Sequence, residues 1–282
     1  MNNKIIAFQG ITGANSNLAC NKFYPEFQTK AFSTFADVFV AVENGEVEFG
    51  MIPLENSYAG RVSEIHNLLQ DREVSIVAEH FFNVSHNLAA VKGSAISDIE
   101  KIYSHPQALM QCSNNIRNLS NGKITVCDVS NTSEAARMVA ESGDKSKAAI
   151  CSKMAAEVNG LELLKENIQD DEGNMTTFVV ISKNASNPDV TIAPVLTTLL
   201  FTIRNIPGSL YKSLGGFATN GVNMLKLESY IPGGISKQAK FFITIEGHPS
   251  QKNVSLALEE LGFFSKNVKL LGIYYADESR FS

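Results

Sequence analysis

The sequence predicts an α/β protein followed by a smaller domain of βαββαβ order. Three observations carry this. Residues 4 to about 182 alternate apolar, strand-like runs with segments whose apolar residues recur at helical spacing. Residues 183–196 hold two prolines among small polar residues and read as a linker. Beyond them the alternation resumes in a different order, the ferredoxin-like one.

Lys4–Gln9 reads as an apolar strand ending at Gly10, and Asn17–Phe23 as a short helix. Phe35–Glu43 has helical periodicity, with Ser33 or Thr34 as its cap. Phe49–Leu54 is predicted as a buried strand, Val62–Leu69 as a helix and Val74–Phe82 as extended. A second run follows: strand 101–103, helix 106–119, strand Ile124–Val129, helix Ser133–Glu141, strand Ala148–Cys151 and helix Met154–Val158, with Gly160 as its C-cap. Leu161–Ile168 and Thr177–Ser182 are extended. This alternation implies helices layered on mostly parallel strands. In the last part, Thr197–Ile203 is a strand and Ser209–Thr219 a helix ending at Gly221. Strands Val222–Tyr230 and Lys240–Glu246 flank a turn at Pro232-Gly233-Gly234; helix Val254–Leu261 and strand Val268–Tyr275 close the domain. The predicted boundaries are 4–182, with a second lobe at about 83–167, then a linker at 183–196 and a small domain at 197–276. The linker implies that each part folds alone.

Composition narrows the function. The 282 residues are 44% hydrophobic and 19% charged, ordinary for a globular protein, and the net charge of −5 argues against a nucleic-acid partner. Cys20, Cys112, Cys127 and Cys151 show no C-x-x-C spacing and read as reduced thiols. The first residues hold too short an apolar run for a signal peptide, and no stretch approaches the roughly 20 apolar residues that span a bilayer. The expectation is a cytoplasmic protein without a membrane partner.

Four segments carry candidate chemistry. Gly10–Ser16 follows a strand and opens a helix, so its N–H groups and Thr12 can cradle an anion; it equally suits a tight turn with Ser16 as a cap. Pro53–Gly60 also follows a strand and offers Asn56 and Ser57 as neutral donors, with Glu55 to orient them. Ser104–Cys112 turns from a strand into a helix with Pro106 near its first position, gathering Ser104, His105 and Gln107 at a helix N-terminus. Cys112 there reads as core rather than nucleophile. Asn174–Phe178 heads a strand after the acidic turn Asp170-Asp171-Glu172-Gly173. No metal cluster appears in any of the four.

Taken in order, these segments resemble the motif set of prephenate dehydratases: G-x-x-G-x-x-S at Gly10–Ser16, P-x-E-N-S-x-x-G at Pro53–Gly60, S-H-P-Q-A-L-x-Q-C at Ser104–Cys112 and N-x-T-R-F at Asn174–Phe178. Pro207-Gly208-Ser209-Leu210-Tyr211 and Asn220-Gly221-Val222-Asn223 resemble an ACT regulatory domain, so the resemblance covers nearly the whole chain. It implies a catalytic domain of two α/β lobes like type II periplasmic binding proteins, with the site between them. The implied reaction is prephenate to phenylpyruvate, CO2 and water, a step of phenylalanine biosynthesis. It needs no cofactor, because the driving force of aromatisation lies in the substrate. The ACT domain implies phenylalanine as an effector and a homodimer or homotetramer. With no chorismate mutase segment before the first strand, the expectation is a monofunctional enzyme.

By family position, Thr176 is the threonine beside the leaving hydroxyl, as a donor or relay. Thr12, Ser16, Asn56, Ser57, His105, Gln107, Thr177 and Phe178 are the implied substrate-binding residues. Asn205, Pro207, Gly208, Ser209, Leu210, Asn223, Glu228 and Ser229 are the implied effector-binding residues. Two departures stand out. Thr177 occupies the position of the N-x-T-R-F arginine, and the family's E-S-R-P reads Glu228-Ser229-Tyr230-Ile231-Pro232. Alternatives are an arogenate or cyclohexadienyl dehydratase, which shares the motifs, and a catalytically degenerate amino-acid sensor.

Overall fold

The structure, a computed structural model, describes residues 4–120, 123–204, 206–231 and 238–281. The chain opens with β1 (Ile5–Gln9), α1 (Asn15–Phe23), β2 (Gln28–Phe32), α2 (Phe35–Glu43), β3 (Phe49–Asn56), β4 (Gly60–Arg61), α3 (Ser63–Asp71), β5 (Ser75–Asn83) and β6 (Asn87–Ala90). There follow β7 (Lys101–Ser104), α4 (Pro106–Gln111), α5 (Ser113–Ser120), β8 (Thr125–Asp128), α6 (Thr132–Ser142), β9 (Lys147–Cys151), α7 (Lys153–Val158), β10 (Glu162–Lys165) and β11 (Met175–Ser182). The last part runs β12 (Val195–Ile203), α8 (Ser209–Thr219), β13 (Met224–Tyr230), β14 (Lys240–Glu246), α9 (Lys252–Phe264) and β15 (Ser265–Tyr275). The turn expected at Pro232-Gly233-Gly234 and the effector candidate Asn205 lie outside the described residues.

Internal contacts divide the chain into two compact units. One holds Met1–Phe35, Glu55–Arg61 and Phe82–Thr177; the other holds Ala36–Leu54, Val62–Phe81 and Phe178–Ser282. The division does not run at residues 183–196. The second unit joins the βαββαβ part to α2, α3 and most of β3, β5 and β11.

In the first unit, β1 and β2 form a parallel pair, and a separate sheet has the order β10-β6-β9-β7-β8. β7 is parallel to β8 and β9, whereas β6 is antiparallel to β9 and β10. The expectation of mostly parallel strands holds here for only part of the sheet. Leu88, Ile102, Ala108, Ile116, Ile150 and Ile168 form one apolar core, and Ala135, Val139, Ala149 and Ala155 belong to another. α6 illustrates the local logic. Asn131 Oδ1 accepts the Glu134 N–H at 2.8 Å, and Gly143 ends the helix with φ 61°.

One predicted helix is two. The expected helix 106–119 breaks at Cys112, whose φ is −113°. The Asp170 carboxylate accepts the N–H groups of Asn114 and Asn115 at 2.9 Å each and so caps a fresh N-terminus.

In the second unit the strand order is β13-β14-β12-β15-β5-β11-β3. β12 is antiparallel to β14 and β15, and β13 to β14. Residues from β12, β14, α8 and α9 share an apolar core that includes Leu199, Phe201, Phe217, Ile243 and Leu261. β15 meets β5 in parallel through Gly272 and Ile76. A Cβ at Gly272 would lie 2.1 Å from the Ile76 carbonyl oxygen, so only glycine permits this approach.

Candidate active site

The site grows from the turn after β3. β4 folds back on β3, pairing Asn56 with Gly60 and Glu55 with Arg61. Inside that turn, Asn56 Oδ1 accepts the N–H groups of Tyr58 (3.1 Å) and Ala59 (3.0 Å). Those two amides fix which end of the Asn56 amide is oxygen. Its Nδ2 therefore donates, to Asn174 Oδ1 at 2.8 Å, Thr176 Oγ1 at 3.0 Å and the Met175 carbonyl at 3.2 Å. Asn174, oriented in turn, donates from Nδ2 to Gln111 Oε1 at 2.9 Å. Gln111 Oε1 also lies 2.8 Å from His86 Nε2. Facing an acceptor, that nitrogen must carry its hydrogen. Burial holds the His86 imidazole below its ordinary pKa, with the Gln111 contact opposing, so the ring stays neutral in the Nε2–H form.

Thr176 is 7% exposed, and its oxygen receives the Asn56 amide. Among the described residues no acceptor takes the Thr176 hydroxyl proton. Ser57 differs: its hydroxyl donates to Gly173 O at 2.8 Å and accepts Met175 N–H at 3.0 Å, so it staples the turn to the head of β11. Thr177 points to the other face of the strand and is half-buried. Phe178 is 1% exposed, a core ring.

Beside this network lies a cavity of about 260 Å³, lined in part by Tyr58, Met110, Gln111, Asp171 and Asn174. None of its lining side chains is cationic. Tyr58 hydrogen-bonds Asp171, which raises the phenol's pKa and is the largest cause lowering the carboxyl's.

The glycine loop is organised for packing. Gly13, at φ 87°, approaches α7 so closely that a Cβ would meet Ala155 Cα at 2.9 Å. Ser152 Oγ donates to Gly13 O at 2.7 Å and also caps α7. Asn17 Oδ1 takes the Gly13 N–H at 3.1 Å, while Ser16 lies inside α1 and is not its cap. Thr12 is exposed. His105 caps α4, its Nδ1 accepting Gln107 N–H at 3.3 Å. Ser104 Oγ, buried, donates to Ile150 O at 2.6 Å. Among the described residues, Thr12, His105 and Gln107 make no side-chain hydrogen bond to the Asn56 network. Burial pushes the thiols of Cys20, Cys112 and Cys151 up to about 12, which leaves them inert.

A family model described as prephenate dehydratase matches residues 6–186. The chain belongs to the prephenate dehydratase family. Three relatives frame that membership. It is 43% identical to the bifunctional N-acyl-homoserine lactone acylase/prephenate dehydratase of Komagataeibacter europaeus, over 98% of each chain. It is 35% identical to arogenate dehydratase/prephenate dehydratase 1 of Arabidopsis thaliana, over 96% of this chain and 72% of the other. The solved prephenate dehydratase of Arthrobacter aurescens in complex with L-Phe superposes with a TM-score of 0.88 at 28% identity, covering 96% of this chain and 90% of that one.

The family's third motif contributes a residue that sequence reasoning passed over. Gln111, quoted within the motif, joins the network, whereas Gln107 does not. His86 belongs to no motif read from the sequence, and its only signal was a histidine before the buried run Asn87–Ala90.

The effector candidates fall at the start of α8, at Asn223 and on β13. Gly208, at φ 70°, starts α8; Ser209 behind it is 4% exposed, and its Oγ has no partner among the described residues. Pro207 and Leu210 flank these two, with Pro207 exposed and Leu210 half-buried. Asn223 donates to Glu246 Oε1 at 3.0 Å and lines a separate cavity of about 730 Å³ with Val195, Gly221 and Gln251. Glu228 and Ser229 lie on β13. Among the described residues, no helix is long and apolar enough to cross a membrane, and no group of three His, Cys, Asp or Glu is placed to hold a metal ion.

Proposed function

We propose that this chain converts prephenate to phenylpyruvate, CO2 and water, under control by phenylalanine. The observation that carries the reading is the hydrogen-bond chain Thr176–Asn56–Asn174–Gln111, which draws three of the family's four motifs into one network. Prephenate becomes aromatic when its ring carboxylate and hydroxyl leave together. The enzyme must expel water from the carboxylate and hydrogen-bond the departing hydroxyl. Asn56 spends its N–H on Thr176 Oγ1, and that leaves the Thr176 O–H to donate to the leaving group. The Gln111 amide N–H groups are free to meet a carboxylate, since its oxygen alone is engaged by Asn174 and His86. With no cation lining the adjacent cavity and Thr177 in the arginine position, the carboxylate is held by neutral donors. The ring carboxylate, the second of prephenate's two, is left poorly solvated, which favours its loss as CO2.

Phenylalanine control is supported by the relative solved with L-Phe and by the unpartnered Ser209 hydroxyl at the start of α8. Assembly as a dimer or tetramer through the small domain, and a cytoplasmic site of action, belong to the same reading. The test is phenylpyruvate formation by the purified chain, with and without phenylalanine; absence of product overturns it. Arogenate run beside prephenate separates the amino and keto substrates, both named for the Arabidopsis relative. A second reading, hydrolysis of N-acyl-homoserine lactones, draws on the relative that is 43% identical. Release of homoserine lactone from an acylated substrate would support it.

A further inference from the structure

We infer that His66 is a positioning residue: held by Glu228 of β13, it fixes the base of the turn that carries Asn56. The inference rests on the proposed dehydratase reading for the role of Asn56.

His66 sits on α3 and is 1% exposed. Its Nε2 lies 3.0 Å from Glu228 Oε2, an ion-pair distance although not aligned as a hydrogen bond. Lys226 Nζ approaches the other Glu228 oxygen at 3.3 Å. The ring is wedged between Phe242 and Tyr230, at centroid distances of 5.1 and 5.6 Å. These contacts leave the imidazole little freedom. The His66 contact is the largest cause holding the Glu228 carboxyl below its usual range, against the opposing effect of burial.

On its other side, His66 Nδ1 lies 3.5 Å from the Val62 carbonyl. Val62 donates its N–H to Leu54 O at 3.0 Å. That rung closes the turn of residues 55–61, within which Asn56 pairs with Gly60. The contacts therefore run Glu228, His66, Val62, Leu54, and the chain continues through Glu55 to Asn56. A ring that only filled space would need no carboxylate. Burying Glu228 against it costs desolvation that an apolar pair would avoid, so the polar contact sets register rather than bulk stability. Glu228-Ser229 also lies in the segment resembling the family's effector motif.

Hydrogen exchange of the full chain tests this. His66→Phe keeps the ring packing and removes both polar contacts; His66→Gln keeps a donor toward Glu228. His66→Phe should speed exchange in residues 55–62 by about fivefold or more, with β7 and β9 unchanged, and His66→Gln should restore most of it. Glu228→Gln should show the same local pattern in weaker form. Unchanged exchange at 55–62 in His66→Phe overturns the inference whatever the activity. A rise spread over the whole chain in both His66→Phe and Glu228→Gln marks a merely structural contact and also overturns it. The expected local pattern in a chain that forms no phenylpyruvate keeps the linkage and removes only the proposed reaction.

Discussion

Asn56 Nδ2 lies 3.0 Å from Thr176 Oγ1, joining residues 120 apart in the sequence. The direction of this bond is imposed from outside the pair. Backbone amides of Tyr58 and Ala59 orient Asn56, and the donor then passes through Asn174 and Gln111 to set the His86 tautomer. Each amide in the series has one consistent orientation, so the network is preorganised before a ligand arrives.

Thr176→Ala removes the hydroxyl whose proton no group among the described residues accepts. Turnover of prephenate should fall roughly 100-fold or more, the usual scale for a lost donor at a reacting centre. Stability should change little. Thr177→Ala, on the opposite face of β11, should leave turnover largely intact. Steady-state kinetics of the two variants decide the matter, and the reverse pattern would reassign the working hydroxyl to Thr177.

Asn56→Asp keeps the shape and replaces the donor with an acceptor. A carboxylate oxygen would then face Asn174 Oδ1 from about the 2.8 Å at which Nδ2 now sits. If Asn174 turned to relieve the clash, its oxygen would face Gln111 Oε1, and the conflict would move on to His86. Both turnover and stability should drop, the latter by about 1–3 kcal/mol, the cost of a buried polar group left unsatisfied. Denaturant unfolding that matches the parent chain would count against a single fixed orientation.

How much of this could be read from the sequence varies with the range of the signal. Helix Phe35–Glu43, helix Ser209–Thr219 and strand Lys240–Glu246 were predicted to the residue, because apolar periodicity and caps are local. The break at Cys112 was missed because its cap, Asp170, arrives from 55 or more residues away. Gln28–Phe32 was missed because its alternation is weak and mostly exposed. Asn56 and Thr176 were recognisable as motif residues, but nothing local says that Gln111 rather than Gln107 joins them. His86 lay outside every motif, since its role is defined only by what faces it.

His86 gives the network a pH dependence. Its folded pKa is lowered by burial, so below the ordinary imidazole value the unfolded chain binds a proton that the folded chain refuses. This contribution to stability is present above about pH 6.5 and is lost as pH falls through the folded pKa. Thermal melts from pH 8 to pH 5 should show a decline on the acid side that is shallower in His86→Gln. Parallel curves for the two proteins would show that His86 does not carry it.

Glu79 is 3% exposed on β5, and Arg280 near the C-terminus grips it with two bonds, one from Nη2 to Oε2 at 2.7 Å. Arg280→Ala would leave a buried carboxylate with, among the described residues, the Asp277 N–H at 3.3 Å. A loss of about 3–5 kcal/mol is expected, as for other broken buried pairs. Adding Glu79→Leu to Arg280→Ala should recover much of it. Urea unfolding of the single and double variants measures both; a single variant within experimental error of the parent chain would contradict the argument.

Residues 183–196 suggested two parts that fold alone, yet β5 takes β15 as its neighbour, through Gly272 and Ile76. Lys269 Nζ also donates to the carbonyls of Gln70 and Arg72, at 3.0 and 2.7 Å, capping the C-terminal end of α3. A chain ended at Lys183 would lose that cap, expose the edge of β5 and strip Glu228, Tyr230 and Phe242 from buried His66. It should be poorly soluble or melt well below the full chain. Gly272→Ala makes a milder version of the same injury, because its Cβ would lie 2.1 Å from Ile76 O and force the strands apart. Overpacking of that kind typically costs about 1–3 kcal/mol. Calorimetric melts of the shortened chain and of Gly272→Ala test the claim together. A soluble shortened chain with an unchanged melting temperature would restore the linker as the true boundary.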